Sequence, residues 1–182
     1  MEDGNTLFRK GRLTDAAYRY EYALRRLPRL RAMGEQSHAA TTAAATASAS
    51  EDIFGQLKTH LLLNLSRTKR KLGQFKEAEE CASQVLASRP GCHEAWWARA
   101  KARADQEQLQ EALSDLREAL KLAPNNLQLH AFSSQVKNQL EAKMKANSEA
   151  TQMDVSAKDS KEATLAAVDE ICALTEEDGT PC

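Results

Sequence analysis

Three stretches of this chain repeat one spacing, and that spacing limits the possible fold more than any other feature. Ala16, Tyr20, Ala23 and Pro28 stand at the same intervals as Ala78, Ala82, Val85 and Pro90, and again as Ala112, Leu116, Ala119 and Pro124. Residues three and four apart share one face of a helix. Each copy therefore reads as a helix with small or apolar residues on its packing side and a proline at its end. Pro90 and Pro124 are 34 residues apart, room for two short antiparallel helices and their turns. One helix pair cannot bury its apolar face alone, so neighbouring pairs must stack.

A 34-residue period closed by proline marks a tetratricopeptide array. The expected fold is all-α: a right-handed superhelix of three helix pairs plus a C-terminal capping helix. The units span about 1–30, 51–91 and 92–125, with the cap at 126–147. In the first unit, helices are expected over 2–10 and from about Thr14 to Leu27, with Gly4 and Leu7 at the small and large packing positions. Gly11 and Gly73 supply turns, and Glu107 stands where a third glycine would. The second unit pairs a helix opened by Ser50, Glu51 and Asp52, and running to Lys71, with one over 75–87. The third pairs 93–105 with 109–122, with Trp96 and Ala100 as its large and small residues. Pro28 and Pro90 are 62 residues apart, more than one period. The excess falls on 33–50, rich in Ala, Thr and Ser without large apolar side chains, and is expected to be a disordered surface insert.

Composition removes several classes of function. No apolar run approaches the length of about 18 residues needed to span a bilayer, and the first residues do not resemble a secretory signal. The four cysteines (Cys81, Cys92, Cys172 and Cys182) lack metal-ligand spacing. Cys81 reads as a buried free thiol, which fits a reducing, cytoplasmic location. No phosphate-binding glycine loop, HExxH or GxSxG string occurs, the four histidines are scattered, and acids such as Glu79 and Glu80 read as solvated. No catalysis, cofactor or metal is expected. Residues 148–182 hold nine acidic side chains against two lysines, so a basic body precedes an acidic, mostly disordered tail. That tail carries an apolar island from Leu165 to Leu174 and is a candidate occupant of the body's own groove.

Stacked pairs expose one side of each first helix on a concave surface. In common register, the first unit places Asn5, Phe8 and Arg9 there. The second adds His60, Leu63, Asn64, Arg67, Arg70 and Lys71, and the third Glu94, Trp97, Ala98, Lys101 and Asp105. Guanidinium groups in such a row suit carboxylates, whose two oxygens match the planar fork. The asparagines offer both donor and acceptor to an extended backbone. The expected ligand is a protein segment, with no small molecule or nucleic acid.

Several strings carry a closer resemblance. They begin with Gly4-Asn-Thr-Leu-Phe-Arg-Lys-Gly-Arg-Leu, Tyr20-Glu-Tyr-Ala-Leu-Arg-Arg-Leu-Pro-Arg and Leu61-Leu-Leu-Asn-Leu-Ser-Arg-Thr-Lys-Arg-Lys. Glu94-Ala-Trp-Trp-Ala-Arg-Ala-Lys-Ala and Lys121-Leu-Ala-Pro-Asn-Asn extend the set. These resemble the TANC/rolling pebbles family, and the Ala/Thr/Ser insert points to its insect members. The resemblance implies a cytoplasmic scaffold recruited by partners to the inner face of the plasma membrane. It implies an adaptor role there in cell adhesion, myoblast fusion and signalling, with the cytoplasmic tail of a receptor as ligand.

Two rival readings stand beside it. One is a co-chaperone clamp for the acidic C-terminus of Hsp70 or Hsp90. Asn5 and Asn64 match that clamp, but its first lysine would fall at Met1, and Glu94 and Ala98 stand where it needs two cations. A carboxylate brought against Glu94 is repelled. The other is RNA binding by a helical repeat, for which few aromatic residues are expected to be free as stacking platforms.

Overall fold

The computed structural model describes residues 3–37 and 43–148. The chain divides into two compact units, Met1–Lys137 and Asn138–Cys182, and the core residues named below all belong to the first. The elements are α1 (Gly4–Arg9), α2 (Leu13–Ser37), α3 (Ala43–Lys71), α4 (Phe75–Ser88), α5 (His93–Asp105) and α6 (Leu109–Leu122). A seventh, α7, covers 127–148, and no strand occurs among the described residues. Successive helices from α1 to α6 pack on one another, and α3 also meets α5, so second helices lie between first helices.

The three turns inside the pairs are built alike. The amides of Arg12, Gln74 and Gln108 reach back to the carbonyls of Leu7, Lys69 and Arg103 at 3.0, 2.9 and 2.9 Å. This closes each first helix with a left-handed residue. Gly11 and Gly73 both have φ of 78°, and Glu107 has φ of 62°. Glutamate thus takes the glycine conformation at a cost of about 1–2 kcal/mol, consistent with a turn that geometry imposes and sequence only favours.

Small residues let the helices approach. Ala16, Ala78, Ala82, Ala95, Ala100, Ala102, Ala112 and Ala119 are buried, with Leu7, Tyr20, Leu62, Leu65, Val85 and Leu116 filling the space between them. A Cβ on Gly4 would sit 2.7 Å from Cε1 of Tyr20, so any larger residue there would have to push the Tyr20 ring aside. Cys81 is a buried free thiol, and burial pushes it up to about 11. The hydroxyl of Ser66 donates to the Ala78 carbonyl at 2.8 Å, tying α3 to α4.

The prolines do not act alike. The residues before Pro90 and Pro124 leave the helix, Arg89 at φ −139°, ψ 78° and Ala123 at φ −136°, ψ 69°, as an adjoining proline demands. Pro28, expected to end its helix, lies inside α2. The residues after each proline account for the difference. Gly91 and Asn125-Asn126 disfavour helix, whereas Arg29-Leu30-Arg31-Ala32-Met33 are strong helix formers. The expected disordered insert over 33–50 is corrected in the same sense. Residues 34–37 continue α2 and Ala43–Ser50 open α3 ahead of the expected start, because alanine favours helix without needing a core. Residues 38–42 and the acidic tail beyond Ser148, including Leu165–Leu174, lie outside the described residues.

An ion-pair network fastens α4, α5 and α6. Asp115, 2% exposed, accepts from Arg99 Nε and Nη2 at 2.9 and 2.8 Å and from Arg103 Nη1 at 2.9 Å. Arg103 Nε also donates to Glu79 at 2.7 Å, and Gln106 to the other oxygen of Glu79 at 2.9 Å. Burial works to raise the Glu79 carboxyl, but the bonds from Arg103 and Gln106 outweigh it and hold the group below its ordinary value. Glu79 is therefore a structural anion, not the solvated acid expected.

Candidate peptide groove

The first helices α1, α3 and α5 bring their inward sides to two adjoining cavities. One, of about 580 Å³, is lined by Phe8, His60, Leu63, Asn64, Arg67, Arg70, Lys71, Glu94, Trp97 and Lys101, together with Ser66, Ala98 and Gln128. The other, of about 420 Å³, is lined by Asn5, Phe8, Arg9, Tyr20, Asn64 and Arg67. Of the fourteen residues expected on the concave side, all but Asp105 line one cavity or the other. Asp105 also reaches this region, through its bond to Arg70. Gln128 was not expected, because α7 reads in sequence only as a cap. Two turns of α7 carry Leu129 and Val136, both fully buried, and that packing brings Gln128 to the rim.

At the α1 end the amides are already engaged. Asn5 Oδ1 accepts from the Tyr20 hydroxyl at 2.6 Å and from Asn64 Nδ2 at 3.3 Å. Burial pushes the Tyr20 hydroxyl above its ordinary value, so it stays a donor and fixes Asn5. The Lys71 ammonium lies 4.6 Å from the Phe8 ring centre.

The α5 end is more basic. Lys101 Nζ sits 3.6 Å from the centre of the Trp97 ring and 5.7 Å from that of Phe132, an arrangement in which the ring faces attract the cation. Burial, then the nearby Arg70 and Arg67, lower the Lys101 pKa, opposed only by Asp105. Arg70 is paired with Asp105 at 2.8 Å, while Arg67 forms no ion pair or hydrogen bond among the described residues. Trp97 Nε1 is buried and has no acceptor among the described residues. The two adjacent tryptophans differ sharply. Trp96 packs against the core and donates to the Pro90 carbonyl at 2.8 Å, with Arg99 over its ring at 4.8 Å.

Residues 63–126 match the tetratricopeptide repeat family. Solved structures agree on the architecture. The chain is similar to the C-terminal TPR-containing domain of a Plasmodium falciparum FK506-binding protein, with 24% identity over 78% of this chain and 86% of that one, TM-score 0.61. It is similar to the Hsp90 co-chaperone Cns1 of Saccharomyces cerevisiae, with 19% identity over 92% of this chain and 46% of that one, TM-score 0.67. It also resembles the second TPR domain of human RPAP3 in complex with the HSP70 peptide SGPTIEEVD, with 22% identity over 74% of this chain and 88% of that one, TM-score 0.51. At these identities the likeness speaks for the fold, which is a tetratricopeptide array of three helix pairs with a capping helix. No described helix is long and apolar enough to cross a membrane.

Proposed function

We propose that this chain is a non-enzymatic adaptor holding an extended protein segment along the groove of α1, α3 and α5. One observation carries the reading: a basic hollow in which, among the described residues, Arg67 has no counter-ion. The resemblance to TANC/rolling pebbles proteins narrows the proposal to a cytoplasmic scaffold. Its ligand would be the tail of a receptor or signalling protein at the plasma membrane, as in adhesion or myoblast fusion.

The test places a photo-reactive phenylalanine at Leu63 and maps what it captures in cells. The expected product is an extended segment of one partner, lost when Arg67→Glu and Arg70→Glu are combined while helicity is kept. Unchanged capture in that double variant overturns the groove as the binding site.

A second reading, the clamp for Hsp70 or Hsp90 C-termini, is favoured by the contact of Asn5 with Asn64 and by what the RPAP3 domain binds. Glu94 and Ala98 oppose it. The two readings separate on a single peptide ending in EEVD: the adaptor reading expects no saturable binding, and Glu94→Lys with Ala98→Arg should create it.

A further inference from the structure

Resting on the groove reading, we propose that the seam between α3 and α5 is an oxyanion subsite. It takes a side-chain carboxylate or phosphate from the interior of the bound segment. Arg67 and Lys101 hold the anion, with the Trp97 ring fixing the Lys101 ammonium in place.

Charge is the first argument. The cavity of about 580 Å³ gathers Arg67, Arg70, Lys71 and Lys101, with Glu94 and Asp105 as its nearby acids. Asp105 is committed to Arg70 at 2.8 Å. Lys71 and Lys101 rest on the rings of Phe8 and Trp97 at 4.6 and 3.6 Å. Cations gathered in one hollow repel one another unless an anion intervenes. Burial first, then repulsion from Arg70 and Arg67, lowers the Lys101 pKa, so an arriving anion relieves part of what the free hollow costs.

Geometry supplies the second argument. The Trp97 ring lines the same cavity as Arg67 and Lys101 and lies 3.6 Å from the Lys101 ammonium, so the attraction of the ring face holds that cation in the hollow before a ligand arrives.

Position decides between an interior side chain and a chain end. Glu94 lies one turn of α5 before Trp97 and Ala98 and two before Lys101, so the helix carries an acid at one end of the lined stretch and a cation at the other. Asn5 and Asn64, the amides suited to a peptide backbone, bond each other beyond Arg67. A ligand backbone running past the asparagines places a mid-chain side group at the seam. A terminal carboxylate seated at the start of α5 meets Glu94 instead.

The full chain is titrated while the two indole N–H resonances are followed by NMR. The probes are inorganic phosphate and end-blocked alanine hexapeptides with a central phosphoserine, aspartate or serine. The unsubstituted hexapeptide with a free C-terminus is the remaining probe. The expected result is a saturable shift of the Trp97 signal with the phosphoserine and aspartate peptides, at least ten-fold weaker with serine. Arg67→Gln should weaken the phosphoserine peptide at least ten-fold with the circular dichroism spectrum unchanged. Equal shifts by charged and neutral peptides overturn the subsite and leave the groove standing. A response confined to the free-carboxylate peptide overturns the interior position. Silence of every peptide at millimolar concentration overturns both the subsite and the groove reading, and a response to phosphate alone overturns the peptide as its ligand.

Discussion

Asp115 shows how one residue can decide whether a seam holds. It sits between Ala112 and Leu116 on the apolar side of α6, and two guanidinium groups of α5 satisfy it. Removing its charge leaves Arg99 and Arg103 without their shared anion, and breaking a buried pair from one side costs about 3–5 kcal/mol. Asp115→Asn is therefore expected to lower the midpoint of urea unfolding markedly, whereas Asp115→Asn in an Arg99→Met, Arg103→Met background should cost much less. Near-equal losses in both backgrounds would show that the network does not hold the seam. An acid on an otherwise apolar face is a visible signal in the sequence, and so are arginines four apart on the preceding helix. Their meeting is not legible there, because it depends on how two helices rotate against each other. The groove residues are easier. They come from register alone, since each first helix repeats the same inward face. The state of each one does not: nothing in the sequence says that Arg70 is paired and Arg67 is not.

At the scale of elements, the prolines are the most instructive. Periodicity locates all three helix pairs, and the bounds of the third agree with α5 and α6. It fails at Pro28, where the rule that proline ends a helix competes with the helix-forming residues behind it and loses. Proline within a helix removes the bond from its own nitrogen to the carbonyl four residues back, here Leu24, at about 3 kcal/mol relative to alanine. Pro28→Ala is accordingly expected to stabilise the chain by roughly 1–3 kcal/mol. Pro90→Ala and Pro124→Ala, outside helices, should be neutral or mildly destabilising through the freer unfolded chain. Urea denaturation of the three variants checks this, and a destabilised Pro28→Ala would mean the proline is needed where it stands. The 33–50 stretch departs from expectation for a related reason. Its lack of large apolar residues argues against a core, but at the described residues 33–37 and 43–50 it does not argue against helix, because each adjoins a helix that provides the nucleus.

For the molecule as a whole, the array behaves as a row in which each pair leans on the next. Leu129 and Val136 of α7 are fully buried, so the cap is part of the core of the first unit. Leu129→Ala should cost about 2–5 kcal/mol, and in a cooperative array the loss should appear as one lowered thermal transition. Two separate transitions would show that the cap melts by itself. A cap is foreseeable from sequence, since a last repeat needs a cover.

That cover has a second consequence. Gln128 borders the hollow and Phe132 faces the Lys101 ammonium, so the lid of the stack is also one wall of the hollow. Fraying of this helix and departure of a guest then draw on the same contacts. A partner that seats well should slow amide hydrogen exchange along the start of the terminal helix, although it touches only one edge of it.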